Sequence, residues 1–203
     1  MSRAPVTVRV AEPEDAGDLI DVWTEAAPDH PADEAERRAS DGLLTIPQLA
    51  EAAGAIARIA ADPAERLLVA QSEERIVGAV HLRRGLVSPI QQVEAVHLSH
   101  LRVLPDHRRR GVASALLSAA TAWAEEKDST HVLATSPAST REAARFLARL
   151  GFGQVAVVRA APVVALRARF AGLAAGSRGT GKLIAQRRTL RRRQGLPAAG
   201  RSG

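Results

Sequence analysis

Residues 98–126 read LSHLRVLPDHRRRGVASALLSAATAWAEE. An apolar run ends at Leu104, Pro105 turns the chain, and His107, Arg108, Arg109 and Arg110 follow. Gly111 then opens a long Ala/Leu segment in which Ala113, Leu116, Leu117, Ala120 and Trp123 share one face at helical spacing. The stretch therefore predicts a strand, a basic turn and a helix. Such a junction exposes the first N–H groups of the helix at the positive end of its dipole. A glycine in the turn lets backbone wrap an anion closely. Ala113 is nearly as small as Gly111, and Val112 between them is placed to enter the core. With three arginines adding charge, Arg108–Ser114 has the makings of a pyrophosphate cradle. The alternative is a solvated basic turn in which Gly111 only starts the helix. The stretch is not a P-loop, because no Lys-Ser or Lys-Thr follows the glycine.

Outward from this junction, VEAVHLSHLRVLP (93–105) is a long strand, and ERLLVAQS with ERIVGAVHLRRG forms an antiparallel hairpin turning at SEE. VTVRVA (6–11) is a short first strand. AEPEDAGDLIDVWTEAA is a helix with acids in its first turn. IPQLAEAAGAIARIAAD is a second helix, with Pro47 in its first turn and Asp62-Pro63 ending it. HVLAT is a short buried strand, STREAARFLARLGF a helix stopped by Gly151, and QVAVVRA and VVALRARF are two closing strands. The resulting order, β-α-α-β-β-β-α-β-α-β-β, predicts one domain of the α/β class with mixed α+β character.

The chain has 203 residues, enough for one domain with an appendage. It has three Phe, two Trp and no Tyr, so the core is built from Val, Leu, Ile and Ala. Without Cys there are no disulfides, thiolate metal sites or Cys nucleophiles. The first residues lack the apolar stretch of a secretory leader, and no segment of about 18 residues is free of charge, so a cytoplasmic protein without a membrane span is expected. The net charge of +6 is uneven. Residues 170–203 hold Arg178, Lys182, Arg187, Arg188, Arg191, Arg192, Arg193 and Arg201 and no acid, so the remainder is slightly acidic. The basicity belongs to the tail. No aromatic residue interleaves its arginines, so it offers phosphate contacts but no base-stacking platform.

Arg108-Arg109-Arg110-Gly111-Val112-Ala113 resembles Gln/Arg-x-x-Gly-x-Gly/Ala, the acyl-CoA motif of the GNAT N-acetyltransferase superfamily. LSHLRVLP resembles the strand before that motif, ASALLSAATAWA the helix after it, and REAARFLARLGF the later Asn-x-x-Ala-x-x-x-Tyr-x-x-x-Gly-Phe helix. The resemblance spans about residues 4–170. It implies a GNAT domain over 1–170, with a central mixed, largely antiparallel sheet of about seven strands flanked by about four helices. Residues 171–203 form a Gly/Arg-rich tail. It further implies acetyl-CoA as co-substrate, no metal, an amine acceptor and a possible homodimer. Carried over residue by residue, Leu101, Arg102 and Val103 present backbone groups to the acetyl carbonyl and the pantetheine arm. Arg108, Arg109, Arg110, Gly111, Val112, Ala113 and Ser114 bind the pyrophosphate, and Thr140 stands where an Asn often touches the CoA arm.

Acetyl transfer to an amine needs a base, donors for the thioester oxygen and a route for the thiolate to leave. The family's Tyr acid falls at Leu147, and the position of a Glu base in some members falls at Thr135. Neither residue can do that work. His97 is the expected base. Strand alternation sets it on one face with Ser99, Leu101 and Val103, and histidine titrates near neutral pH. His100 falls on the other face unless the strand is bulged; His81 and Glu94 are weaker alternatives. Trp23 and Trp123 are expected in the core. Asp29, Asp33, Glu34 and Glu36 lie where the family builds its acceptor wall. The reaction expected is transfer of acetyl from acetyl-CoA to a primary amine of a small molecule or protein in a ternary complex. An inactive acyl-CoA-binding module and an RNA- or ribosome-associated protein using the basic tail stay open as alternatives.

Overall fold

A computed structural model describes residues 5–26, 45–136 and 141–173. Among these, residues up to 157 belong to one compact unit and residues 158–173 to a second. In the first unit, β1 (Thr7–Val10) leads through a 3₁₀ turn at Pro13–Asp15 into α1 (Ala16–Glu25). Next come α2 (Leu49–Ala61), β2 (Glu65–Ser72), β3 (Arg75–Ser88) and β4 (Gln91–Val103). A 3₁₀ turn at Pro105–His107 precedes α3 (Val112–Glu126), and β5 (His131–Ala134) and α4 (Arg141–Arg149) follow. The five strands lie in the order β1-β2-β3-β4-β5, antiparallel except for the parallel β4–β5 pair. This is the mixed, largely antiparallel sheet with flanking helices that the sequence predicts.

Side-chain parity sorts the helices onto the two faces. Leu68, Ala70, Gly78 and Val80 share a face as cross-strand partners. A side chain on Gly78 would meet Val112 and Leu116, so α3 packs there. Arg66 lies on the same face, its guanidinium 5.1 Å from the Trp123 ring centroid. Leu67, Val69, Ala79 and His81 face the other way, toward α1 and α2. Val69, Val77, Val80, Leu82, Val96, Leu98, Leu116 and Trp123 are almost wholly buried. At the sheet's start Asp15 accepts from Arg9 Nη1 at 2.6 Å and Nη2 at 2.7 Å, and from the Glu12 N–H at 2.8 Å. This pairing ties β1 to the entry of α1. The Arg9 hydrogen bond holds the Asp15 carboxyl below the usual carboxylate range.

The β2–β3 turn places Glu73 and Glu74 at φ 52° and 64°, the left-handed pair of a type I′ hairpin. α4 ends as expected at Gly151 (φ 91°), where the Phe152 N–H reaches the Leu147 carbonyl and the Gly151 N–H reaches that of Ala148. Two expected strands are absent from the described residues. Residues 154–160 make no ladder, and 163–173 are helical. Pro162 explains the second difference. It has no N–H for a ladder, and its carbonyl instead accepts from Ala165 and Leu166, starting a helix that Ala, Leu and Arg favour. The sheet thus has five strands among the described residues rather than about seven. No helix of the described residues is long and apolar enough to cross a membrane.

Candidate active site

The junction at residues 98–114 is the centre of the site. Arg102 pairs with Ala79 and Val103 with Gly78, but Ser99 pairs with His81, so His100 and Leu101 together oppose Val80. This is a β-bulge, with His100 at φ 54°. It reverses the alternation that the sequence suggests. His97, Ser99 and Arg102 share the face toward α1, whereas Val103 turns to the α3 face with Gly78. On the other side of β4, pairing with β5 stops at Leu98, where the carbonyl accepts from the Thr135 N–H at 2.8 Å. Ser99–Val103 therefore have an outer edge with no strand partner among the described residues.

The chain then passes through two left-handed residues, Arg109 (φ 59°) and Gly111 (φ 90°), and enters α3. Gly111 is the cap residue and supplies no side-chain oxygen, so the first N–H groups of the helix have no side-chain cap. A Cβ at Gly111 would meet open space. Glycine is needed there for its φ rather than for clearance. Val112 is buried, while Arg108, Arg109, Arg110 and Ser114 are exposed. The Arg108 Nε points to the Val103 carbonyl at 3.4 Å, and the Arg109 Nε pairs with Glu142 of α4 at 3.3 Å. Two left-handed residues, a helix N-terminus without a side-chain cap and three exposed arginines have the donor chemistry of an anion site.

Arg102 is held differently. Its Nη1 donates to the Ala26 carbonyl at the end of α1, 3.1 Å away, while its buried Nε has no partner. Burial, then the charge of Arg108, lowers its pKa. The side chain thus serves the C-terminus of α1, and only the backbone of Arg102 faces the junction's chemistry.

His100 stacks on Trp23, ring centroids 6.4 Å apart and planes 22° from parallel. Partial burial is the main cause holding its pKa below the ordinary value of 6.5, followed by the charges of Arg102 and His81. Its Nδ1 is 3.0 Å from the Ser99 Oγ. The same hydroxyl is 3.3 Å from His81 Nδ1, and His81 Nε2 is 3.1 Å from Glu65 Oε2. His97 lies within the β4–β5 pairing, its ring 3.7 Å from the place of a Cβ on Gly85. Glu94 is paired with Arg84. Leu147 packs against the core as a partly buried apolar residue, and Trp123 is buried. Trp23 packs on the core while presenting a face to His100. Thr140, the acids Asp29, Asp33, Glu34 and Glu36, and the basic tail lie outside the described residues. The sequence reading missed Ser99 and Glu65. A one-residue shift in the β2–β3 ladder at Ala70/Gln71 sets the register that brings Glu65 near His81, and the β4 bulge brings in His100.

The sequence matches the family model described as "Acetyltransferase (GNAT) family" over residues 19–152. No curated protein sequence matches it significantly. Among solved structures, a transcriptional regulator from Bacillus halodurans C-125 is similar at TM-score 0.62 and 21% identity, covering 76% of this chain and 97% of that one. An aminoglycoside N-acetyltransferase in complex with CoA is similar at TM-score 0.59 and 16% identity, covering 76% and 92%. A ribosomal-protein-alanine N-acetyltransferase from Brucella melitensis biovar Abortus 2308 is similar at TM-score 0.56 and 18% identity, covering 76% and 96%. The structural likenesses give the same fold, and the family model spans the bulged strand, the arginine-glycine turn and the helix that follows. By that match the chain belongs to the GNAT family of acetyltransferases.

Proposed function

We propose that this chain transfers the acetyl group of acetyl-CoA to a primary amine of a small molecule or protein, by direct attack within a ternary complex. The observation that carries the reading is the β4 junction, where a bulge, an outer edge unpaired among the described residues and a helix N-terminus without a side-chain cap follow one another within Ser99–Ser114. Acetyl-CoA supplies the acetyl group as an activated thioester. Leu101, Arg102 and Val103 offer backbone groups along the open edge, and Thr140 is proposed as a CoA contact on the family resemblance alone. Arg108, Arg109, Arg110, Gly111, Val112, Ala113 and Ser114 form the anion-binding turn. Its left-handed residues and uncapped N–H groups suit a diphosphate.

The base we propose is a histidine of β4. His97 and His100 are the two candidates, and geometry favours His100. It stands at the bulge beside the open edge, and its lowered pKa keeps the ring neutral and able to accept a proton at neutral pH. Trp23 fixes the ring plane. With Leu147 in place of an acid, CoA leaves as a thiolate, a leaving group of ordinary thiol acidity. The protein is proposed to be cytoplasmic and to work as a homodimer.

Calorimetric titration with acetyl-CoA, compared with CoA, tests the site. The expected affinity is micromolar, on the order of −8 kcal/mol. Turnover with a panel of aminoglycoside, polyamine and peptide N-terminal amines then tests the reaction. Absence of binding to folded protein refutes the cradle. Binding without turnover of any amine leaves an acyl-CoA-binding module.

A further inference from the structure

We propose that Ser99, His81 and Glu65 form a proton relay that carries the amine's proton from His100 across β4, β3 and β2 to solvent. The inference rests on the acetyl-transfer reading above and on His100 as the base. Three contacts make a continuous path: His100 Nδ1 to Ser99 Oγ at 3.0 Å, Ser99 Oγ to His81 Nδ1 at 3.3 Å, and His81 Nε2 to Glu65 Oε2 at 3.1 Å. These lie within or just beyond the reach of direct proton transfer.

The fold places each member for a separate reason. His81 and Ser99 are directly opposed partners on β3 and β4. Glu65 is the diagonal neighbour of His81 on β2, two residues before Leu67, which opposes it. His100 joins them through the bulge, in a left-handed conformation that a regular strand would not give it. The far end is wet. Glu65 lines a cavity of about 370 Å³ with Ile56, Ile59, Asp62 and Leu67. Around the path, β3 contributes Arg83, whose Nε is 3.6 Å from Glu65 Oε1, and β4 contributes Arg102 and His97. α1 presents the uncharged Trp23, and Asp62 at the end of α2 shares the cavity with Glu65.

The protons balance. The path starts with His100 protonated on Nδ1 and His81 on Nε2. One proton from the amine enters at His100 Nε2. His100 passes its Nδ1 proton to Ser99 Oγ as Ser99 passes its own to His81 Nδ1. His81 passes its Nε2 proton to Glu65, which releases it to water. Every group ends with its starting number of protons and both rings in the other tautomer, and exchange with solvent restores them. No covalent bond to Ser99 forms.

The test uses the full chain with Ser99→Ala, Glu65→Gln and Ser99→Thr, each checked for an unchanged thermal midpoint. With the amine best acetylated from the panel above, Ser99→Ala and Glu65→Gln lower kcat by about 10-fold, less than the roughly 10²–10⁴-fold of a general base because the relay assists the base and does not replace it. They leave KM for acetyl-CoA unchanged and shrink the solvent deuterium effect, while Ser99→Thr, which keeps the hydroxyl, restores both. Independently of activity, imidazole ¹⁵N spectra of the free protein show His100 as the Nδ1–H tautomer and His81 as Nε2–H, and Ser99→Ala disturbs both. Unchanged kcat and isotope effect in Ser99→Ala, the opposite tautomers, or an acetyl ester on Ser99 overturn the relay. If wild-type protein acetylates no amine, the acetyl-transfer reading has failed instead, and the spectra alone decide whether the four side chains form one hydrogen-bonded path.

Discussion

Gly78→Ala tests how α3 is seated against the bulge. A Cβ at Gly78 would stand 2.8 Å from Val112 Cγ1, 2.9 Å from the Arg102 carbonyl oxygen and 3.5 Å from Leu116 Cδ1. The first two distances are shorter than carbon contacts allow. Neither neighbour yields easily. The Arg102 carbonyl is strand backbone, and Val112 is a buried β-branched residue in the first turn of a helix, with one preferred rotamer. Overpacking of this kind costs about 1–3 kcal/mol. Replacing Gly by Ala returns about 0.4–1 kcal/mol by restricting the unfolded chain. The expected net loss is about 1–2 kcal/mol, a fall in thermal midpoint of roughly 2–8 °C for a domain of this size. Urea denaturation measures it, with the slope m unchanged because the surface exposed on unfolding is the same. Affinity for acetyl-CoA falls too, because the displaced atoms are the first turn of α3 and the backbone of β4. A midpoint equal to or above wild type would show that α3 is not seated on Gly78 and would remove the physical basis for this packing.

Gly111→Glu puts a carboxylate and a forced left-handed conformation at the mouth of the turn; acetyl-CoA binding by calorimetry is lost while the protein stays folded, and retained affinity would refute the cradle. His100→Gln lowers kcat/KM by about 10²–10⁴-fold and abolishes the acid limb of the pH profile. In wild type that limb lies below pH 6.5, because the ring's pKa is lowered. His97→Ala, measured beside it, leaves that limb in place. Asp15 has a folded pKa below its unfolded value of about 3.8, so its stabilising contribution is complete above that value and is lost as pH falls through it toward the folded pKa. Asp15→Asn is therefore less stable than wild type at neutral pH, and the gap closes in acid by denaturant titration. Leu116→Ala, at a site of 0% exposure, costs about 2–5 kcal/mol by the same method.

The parts of the fold legible in the sequence are those with a strong local period. β2 runs over the eight residues of ERLLVAQS, and α3 (Val112–Glu126) contains the whole spacing from Ala113 to Trp123. The glycine that ends α4 was readable because a left-handed stop needs one. What local pattern could not supply was parity beyond residue 99. The bulge inserts one residue whose only trace in the sequence is a histidine in an apolar strand, and histidine's enrichment at positive φ is too weak to place a bulge. Every assignment after it shifted by one face, so Val103 moved away from His97 and Arg102 moved toward it. The Glu65–His81–Ser99 contacts were equally hidden, since they depend on the register between strands separated by sixteen and eighteen residues. The closing segment failed for a different reason: Val163 and Val164 suggested a strand, but Pro162 begins a helix there.

The bulge also sets a rule for how this chain tolerates insertions and deletions. Removing either His100 or Leu101 would leave β4 in regular register with β3 and keep most of its hydrogen bonds. The cost would fall on the bulge itself. Arg102 would stay opposite Ala79 and Val103 opposite Gly78, so both keep their faces and the Ala26 carbonyl keeps its guanidinium, while the left-handed residue that turns His100 toward Trp23 and Ser99 would be lost. A single-codon deletion there would therefore preserve both faces of the strand and remove only the geometry at the head of its open edge. Any sequence aligned to this one across residues 99–102 has to keep the extra residue before its downstream side chains can be compared position by position.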